Sequence, residues 1–234
     1  MQYLFLFLFS FCREDLEVSD ETSTNFIKAC NTGKLQEVKD YFELAPMPMP
    51  NARTKNKQTG FIVACIKGHT EIIEWFLQNA QRLKIDLNAQ DKYGCTGAHY
   101  AVSEGHLEIV KLLCEASVEV DFNLRSIWEV TAFTSSCIAA DIFISDIFDY
   151  LTSKSVQEKN KICYNICDGT GNTAFHYACN AKNYNTERLV KLIIDRSEEL
   201  GIDLDKENND GDTGYDLMPR TLRESLKAKR PRLD

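Results

Sequence analysis

Residues 87–113 decide the fold, because they hold two apolar runs joined by a short polar turn. They read LNAQDKYGCTGAHYAVSEGHLEIVKLL. Thr96 precedes the first run, and threonine is a favourable N-cap because its hydroxyl accepts a hydrogen bond from an amide of the first helical turn. Gly105 lies between the runs, where a left-handed helix end favours glycine. The apolar residues from Leu107 onward recur at helical spacing, so the stretch predicts a helix, a tight turn and a second helix.

The same pattern recurs along the chain. Its marker is a threonine that opens an apolar stretch, and these threonines are separated by 35, 37, 35, 42 and 40 residues: Thr24, Thr59, Thr96, Thr131, Thr173 and Thr213. Glycine takes the turn between the two helices in three units: Gly33, Gly68 and Gly105. Asn or Asp stands eight residues before most of the threonines, in turn-rich connections: Asn51, Asn88, Asn123, Asn165 and Asp205. Such self-similarity predicts a repeat architecture, in which each unit buries its apolar face against its neighbours.

This unit resembles the ankyrin repeat. The resemblance is closest over residues 87–113, and it extends roughly from Ser23 to Met218 as five repeats and a terminal cap. It implies an all-α, ankyrin-type helix-turn-helix solenoid with projecting β-hairpin-like turns. It also implies that the protein binds another protein through the concave face and the turn tips, as an adaptor, scaffold or inhibitor.

The unit that begins at Thr131 departs most from the pattern. It lacks the Gly-His pair, and it carries Thr134, Ser135 and Ser136 where the pattern has His-x-Ala. Both this unit and the one at Thr173 hold three extra residues between or within their helices. The stretch from 152 to 162 also exceeds a minimal connection. We therefore expect the register to be least regular in the Thr131 unit.

Three segments are predicted from composition and charge. Residues 1–20 form an apolar N-terminal extension, 21–220 the repeat domain and 221–234 a basic tail. The apolar run at the start is too short to span a bilayer, and a signal peptide, a docked segment and a gene-model artefact all remain open readings of it. The net charge of −8 argues against nucleic-acid binding through the repeat body. The chain is also open to interpretation as a fragment of a larger ankyrin-repeat protein.

The basic tail resembles a monopartite nuclear import signal. Its cationic residues are Lys227, Lys229, Arg230 and Arg232. Proline within such a cluster opposes helix formation, and extended basic side chains can pair with an acidic groove on an import carrier. A cytoplasmic or nuclear location is therefore expected, with a solubilising tail as the alternative.

Neither a catalytic nor a cofactor site is predicted. All four histidines fall on repeat positions, and the resemblance implies that they tie neighbouring repeats together: His69, His99, His106 and His176. Four residues near one another in sequence could instead be zinc ligands: Cys163, Cys167, His176 and Cys179. This metal-binding alternative is the weaker one, since the repeat pattern already accounts for His176 and Cys179. The nine cysteines are an odd number, mostly in apolar runs, which favours reduced thiols.

The partner is expected on the central units, which match the pattern best. Eight residues are predicted to contact it, at the turn tips and at the ends of the first helices: Lys67, Asp91, Lys92, Tyr93, Ser103, Glu104, Arg125 and Trp128. Tyr93, Arg125 and Trp128 are the first choices, because aromatic and arginine side chains are the usual anchors of protein interfaces. For Trp128, packing against the irregular Thr131 unit is the alternative.

Overall fold

A computed structural model of the protein describes residues 21–45, 47–138, 144–181 and 186–227. These ranges contain thirteen helices and no strand. The helices are α1 (Glu21–Thr32), α2 (Leu35–Leu44), α3 (Gly60–Lys67), α4 (Thr70–Leu83), α5 (Gly97–Ser103), α6 (Leu107–Glu115), α7 (Ala132–Ile138), α8 (Ile144–Leu151), α9 (Lys154–Asn160), α10 (Ala174–Asn180), α11 (Thr186–Leu200), α12 (Gly214–Leu217) and α13 (Arg220–Lys227). The all-α helix-turn-helix prediction is confirmed.

The predicted threonine caps begin most of the first helices. The structure has N-caps at Thr59, Thr96, Thr173 and Thr213. The Thr131 hydroxyl likewise accepts a hydrogen bond from the Thr134 amide at 3.2 Å. Thr24 is the exception, because it lies within α1. The prediction that Thr24 opens its helix is therefore wrong.

The predicted glycine turns are confirmed. Gly33, Gly68 and Gly105 have φ of +76°, +75° and +78°, which is the left-handed region that favours glycine. A histidine of the next unit also lies against two of them. A Cβ on Gly68, for example, would lie 2.7 Å from Cε1 of His106. The absence of a side chain therefore serves both the turn and the close approach of the next repeat.

The helices form two layers. The first helices of successive units pack against each other in chain order (α1, α3, α5, α7, α10 and α12), and the second helices α2, α4, α6, α8 and α11 form the outer layer. A continuous apolar core lies between the layers, with a phenylalanine from most units almost fully buried: Phe26, Phe61, Phe76, Phe133, Phe148 and Phe175. Each unit therefore buries its apolar face mainly against its neighbours, as a repeat array requires.

The irregular region contains an additional helix. Helix α9 occupies most of the stretch between 152 and 162 and packs beside α6 and α8. It contributes Val156 to the core. The three extra residues predicted in each of the Thr131 and Thr173 units fall between 136 and 148 and between 178 and 190. These stretches include 139–143 and 182–185, which lie outside the described residues.

The packed array includes α13 at its C-terminal end. Leu222 and Leu226 of α13 are only 8% and 9% exposed and belong to the core. Helix α13 is amphipathic and packs with the terminal unit through these two leucines, and the division of the chain into three segments stays a prediction. Its outer face is polar, with an ion pair between Arg220 and Glu224 at 2.9 Å.

Two predicted segments lie outside the described residues. They are the N-terminal extension 1–20 and the end of the tail, which includes Lys229, Arg230 and Arg232; the backbone of Lys227 ends α13. Within the described ranges, no helix is both long enough and apolar enough to cross a membrane.

Candidate partner-binding surface

The projecting turns form a row along one edge of the array, and one side chain closes each of them. In the turn of the Thr96 unit, a carboxylate oxygen of Asp91 accepts hydrogen bonds from the amides of Tyr93 (2.8 Å) and Cys95 (3.0 Å). The equivalent acceptors of the row are Thr54, Asp91, Ser126, Asp168 and Asn208. Local side-chain bonds of this kind stabilise a turn.

Asp91 is part of the scaffold. It is 5% exposed, and its second carboxylate oxygen accepts a hydrogen bond from the Tyr100 hydroxyl at 2.6 Å. Burial raises the pKa of this carboxyl above its ordinary value, while the hydrogen bonds from Tyr100 and the turn amides act in the opposite direction. The prediction that Asp91 is exposed at the turn tip is therefore wrong, because the turn folds around its side chain.

Successive turns are tied to one another by backbone hydrogen bonds. The Lys92 amide donates to the Asn56 carbonyl (2.9 Å), and the Ile127 amide donates to the Tyr93 carbonyl (2.9 Å). Further along the row, the Asn209 amide donates to the Thr170 carbonyl at 3.0 Å. These bonds align the first three turns side by side, so side chains from different repeats share one surface.

A relay of side chains reinforces the row. Arg53 donates to the Gln90 carbonyl at 2.7 Å, Gln90 donates to the Arg125 carbonyl at 2.8 Å, and Arg125 donates to the Cys167 carbonyl at 2.7 Å. Arg125 also forms an exposed ion pair with Glu129 at 3.2 Å. Arg125 is therefore exposed as predicted, but its guanidinium also stabilises the array.

The asparagines at the start of the connections form a second ladder. Asn88 donates to the Glu119 carbonyl (3.2 Å) and accepts from the Asp121 amide (2.8 Å). The same two bonds recur from each repeat to the next at four positions: Asn51, Asn88, Asn123 and Asn165. The sequence had indicated only that these residues belong to turns. Their regular spacing was the signal that they bridge repeats.

The histidines have the structural role that the resemblance implied. Nδ1 of His99 accepts from the Thr96 amide at 3.2 Å, and its Nε2 donates to the Val130 carbonyl of the next repeat at 3.0 Å. Burial lowers the pKa of His99 to about 4, so the ring is neutral near pH 7. The other three histidines also bond to a neighbouring repeat: His69 with Asn31, His106 with Ile66 and His176 with Asp212.

An aromatic pair lies at the centre of the row. The rings of Tyr93 and Trp128 stack with their centroids 5.7 Å apart and their planes at 21°. Both are half-buried and pack on a small apolar cluster of their own, made by Ile62, Ala89, Cys95 and Tyr100. Trp128 therefore belongs to the scaffold in part and to the surface in part.

The remaining predicted residues lie beside this pair or at the ends of the first helices. The Lys92 ammonium lies 4.9 Å from the centre of the Tyr93 ring. Lys67 and Glu104 are exposed at the ends of α3 and α5, whereas Ser103 is half-buried and donates to the Tyr100 carbonyl at 3.2 Å. Ile127, which precedes Trp128 in the same turn, is 61% exposed. The sequence places it at this turn with Arg125 and Trp128, although it is not one of the eight residues predicted to contact the partner.

The cysteines of the described residues do not form a ligand cluster. Six of the eight are buried, Cys167 is half-buried and Cys163 is exposed. Burial raises the pKa of the Cys137 thiol to about 12, so it stays protonated. In the described part of the chain, no group of three or more His, Cys, Asp or Glu side chains could hold a metal ion. His176 is occupied by Thr173 and Asp212, which removes it from the proposed zinc set.

Comparison with known proteins identifies the class. Residues 26–126 match the family described as ankyrin repeats (3 copies), and residues 170–209 match the ankyrin repeat. The Notch-regulated ankyrin repeat-containing protein of Xenopus tropicalis is 31% identical over 107 residues, which cover 46% of this chain and 90% of that protein. The chain therefore belongs to the ankyrin repeat family, whose members are typically protein–protein interaction modules.

Other relatives are much longer than the matched region. Inversin of Gallus gallus is 41% identical over 64 residues, and alpha-latrotoxin-Lg1a of Latrodectus geometricus is 34% identical over 105 residues. These matches cover 27% and 44% of this chain but only 6% and 7% of those proteins.

Solved structures share the fold at low sequence identity. The ankyrin repeat domain of Bcl-3 superimposes with a TM-score of 0.69 at 20% identity, over 96% of this chain and 91% of that one. The ankyrin repeat protein EF0377 gives a TM-score of 0.72 at 19% identity, over 89% of this chain and 98% of that one. A chain from the complex of the Bdellovibrio bacteriovorus endopeptidase Bd0816 with immunity protein Bd3460 gives 0.67 at 21% identity, over 88% and 98%.

Proposed function

We propose that this chain is a non-enzymatic module that binds another protein through its first three turns and the adjoining concave face. The observation that carries the proposal is the Tyr93–Trp128 pair with the exposed Ile127, held on turns that are tied together by hydrogen bonds. Aromatic groups on a rigid base lose little conformational entropy on binding. Whether the module acts as an adaptor or an inhibitor depends on its partner.

The direct test is affinity capture with the full chain, followed by measurement of the captured partner against single variants. Tyr93→Ala and Ile127→Ala should each weaken binding by at least about tenfold, since interface anchors contribute 1–2 kcal/mol or more. Glu71→Ala, an exposed residue of the outer helix α4, is the matched control and should leave the affinity unchanged. A partner that tolerates both turn variants but not changes on α4 would place the interface elsewhere.

Nuclear entry is proposed as a second property, and it rests on the sequence of the tail. The last eight residues contain four basic side chains and one acidic one on a chain of net charge −8. The full chain fused to a fluorescent reporter should concentrate in nuclei. Replacing Lys229, Arg230 and Arg232 together with alanine should make it diffuse. A wild-type fusion that is excluded from nuclei would contradict this.

A further inference from the structure

The row of turns is basic at one end and acidic at the other. Residues 53–58 hold three basic and no acidic side chains, a charge of +3. Residues 206–212 hold one basic and three acidic side chains, a charge of −2. Lys92 adds an exposed cation to the basic end, since the neighbouring Asp91 is buried in its turn. On a chain of net charge −8, the first two turns are therefore a local exception.

Lys57, one of these cations, has a left-handed backbone conformation, which glycine adopts more easily. Its φ is +60°. The equivalent residue is a glycine with φ between +71° and +82° in three other turns, at Gly94, Gly171 and Gly211, and it is Glu129 with φ +61° in the fourth. A non-glycine residue in this region is strained, and such strain is concentrated at functional sites. The Lys57 ammonium forms no ion pair with a carboxylate of the described residues, so no internal salt bridge accounts for it.

The basic turns continue directly into the apolar patch. The bond from the Lys92 amide to Asn56 places the second turn beside Lys57, and the bond from the Ile127 amide to Tyr93 places the third turn beside the second. Cationic groups therefore lie next to an exposed isoleucine and a half-buried aromatic pair. Such a surface offers charge pairing and apolar burial at adjacent points.

We propose that these three turns bind an acidic protein segment that carries a large apolar side chain. Carboxylates of the segment pair with Lys57 and Lys92, and its apolar residue covers Ile127 and the edge of Trp128. This proposal rests on the proposed function and adds the chemistry of the partner. A nucleic acid fits less well, because a polyanion that continued along the row would meet the acidic turn at 206–212.

The test uses a display library of random peptides, selected on the full chain. Bound peptides should be enriched in Asp and Glu next to Leu, Ile, Phe or Trp. Against a selected peptide, Lys57→Gly and Lys92→Gln should each reduce the affinity by about fivefold, which corresponds to ~1 kcal/mol. A double variant carries both Lys57→Gly and Lys92→Gln. Added salt should weaken peptide binding to the wild type more than to this double variant. Lys159→Gln, an exposed residue of α9, is the control and should have no effect.

Lys57→Gly separates binding from stability. Glycine relieves the left-handed backbone, so the variant should unfold at a higher urea concentration while it binds more weakly. A purely structural lysine would not give this combination.

Several outcomes would overturn the proposal while the proposed function stands. They are selected peptides without acidic enrichment, acidic peptides that bind the double variant equally well, tighter binding of single-stranded DNA at the same lysines, and self-association of the wild type that the double variant lacks. If no peptide is selected and affinity capture also yields no partner that depends on the turns, both proposals fail.

Discussion

The Thr96 and Thr131 repeats complete the caps of their first helices with different side chains, and only one of these side chains reaches the next repeat. In the Thr96 repeat, His99 caps its own helix and donates to Val130 at the start of the next unit. In the Thr131 repeat, Thr134 stands at this position, and its hydroxyl stays with that of Thr131 at 3.2 Å. A threonine is too short to reach the next unit. The regular repeat thus uses its cap as a link between units, and the irregular repeat uses it only locally.

The other polar residues of α7 follow the same rule. The hydroxyl of Ser135 donates to the Thr131 carbonyl at 3.0 Å, and that of Ser136 donates to the Phe133 carbonyl at 2.6 Å. Both side chains are fully buried. Burial without a partner would be unfavourable, so these hydroxyls return to their own helix. Helix α7 therefore satisfies its polar side chains internally. The polar links from the Thr131 repeat to the Thr173 repeat come from other elements, such as the ion pair between Asp149 of α8 and Arg196 of α11 at 2.6 Å.

His99→Ala should cause the largest loss of stability. The change removes the cap and the link to Val130, whose carbonyl keeps only its bond from the Ser126 amide at 2.9 Å, and it opens a cavity. We expect the free energy of unfolding to fall by about 3 kcal/mol, measured by urea denaturation.

The matched variant in the irregular repeat is Thr134→Ala. It removes one local hydroxyl and should lower the stability by about 1 kcal/mol. Equal losses for the two variants would mean that the link between repeats contributes nothing beyond the cap.

Acidification should act mainly on the regular repeat. Because burial lowers the pKa of His99 to about 4 from its ordinary 6.5, the unfolded chain takes up a proton first as the pH falls. The stability due to neutral His99 is complete above pH 6.5 and is lost as the pH falls toward 4. Between pH 7 and pH 5 this amounts to about 2 kcal/mol. In His99→Ala, this part of the pH dependence should be absent, and a slope identical to that of the wild type would assign it to other groups.

Gly97 lies where the first helices of two neighbouring repeats pack closely, so a substitution there tests how tightly they pack. A Cβ there would lie 2.7 Å from Cε1 of Phe61, a ring that is 1% exposed in the core. Gly97→Ala should therefore lower the stability by about 1.5 kcal/mol. At the same position of the Thr131 repeat stands Ala132, and the preceding unit has the smaller Ala98 in place of Phe61.

The reverse change is the control. Ala132→Gly should lower the stability by up to about 1 kcal/mol, through helix propensity and lost packing rather than through overlap. A Gly97→Ala protein as stable as the wild type would show that the first helices can move apart.

The asparagine ladder is shared by the two repeats, so it should not distinguish them. Asn88→Ala and Asn123→Ala each remove a donor and an acceptor at the exposed edge. Each should lower the stability by about 1 kcal/mol. Urea denaturation of both variants is the measurement. A clearly smaller loss for Asn123 would mean that the junction after the Thr131 repeat is already loosened.

The sequence predicted the periodic features of the fold and missed most of those that depend on relations between repeats. Threonine caps and glycine turns were predictable because each uses a residue type with one dominant local role, whereas the linking role of the histidines was implied by the resemblance to the ankyrin repeat. Asp91 was misjudged because a carboxylate in a turn is usually exposed, and its burial depends on Tyr100 nine residues later. The relay through Gln90 depends on a carbonyl 35 residues away, which no local pattern indicates.

The candidate site was predicted in part for the same reason. Lys92, Tyr93 and Trp128 do lie together, because the turns that carry them are neighbours in any array of this type. The contribution of Lys57 depends on its φ of +60°, which is a property of the folded turn.

The smallest expected effect concerns the turn tips, where Gly94 of the regular repeat is matched by Glu129. Glu129 has a φ of +61° and pairs with Arg125 at 3.2 Å. Glu129→Gly relieves the left-handed backbone by about 1 kcal/mol but gives the unfolded chain more freedom and removes an exposed ion pair, each of which offsets up to about half of the gain. The net change should be a stabilisation of at most about 0.5 kcal/mol at low salt. It should increase at high salt, where the ion pair of the wild type is screened. The opposite variant, Gly94→Ala, should be destabilising, because a Cβ there would lie 3.0 Å from the Ile127 amide nitrogen. Urea denaturation at two salt concentrations measures both, and a Glu129→Gly protein that is less stable at high salt would show that the glutamate side chain supports the turn through contacts other than its charge.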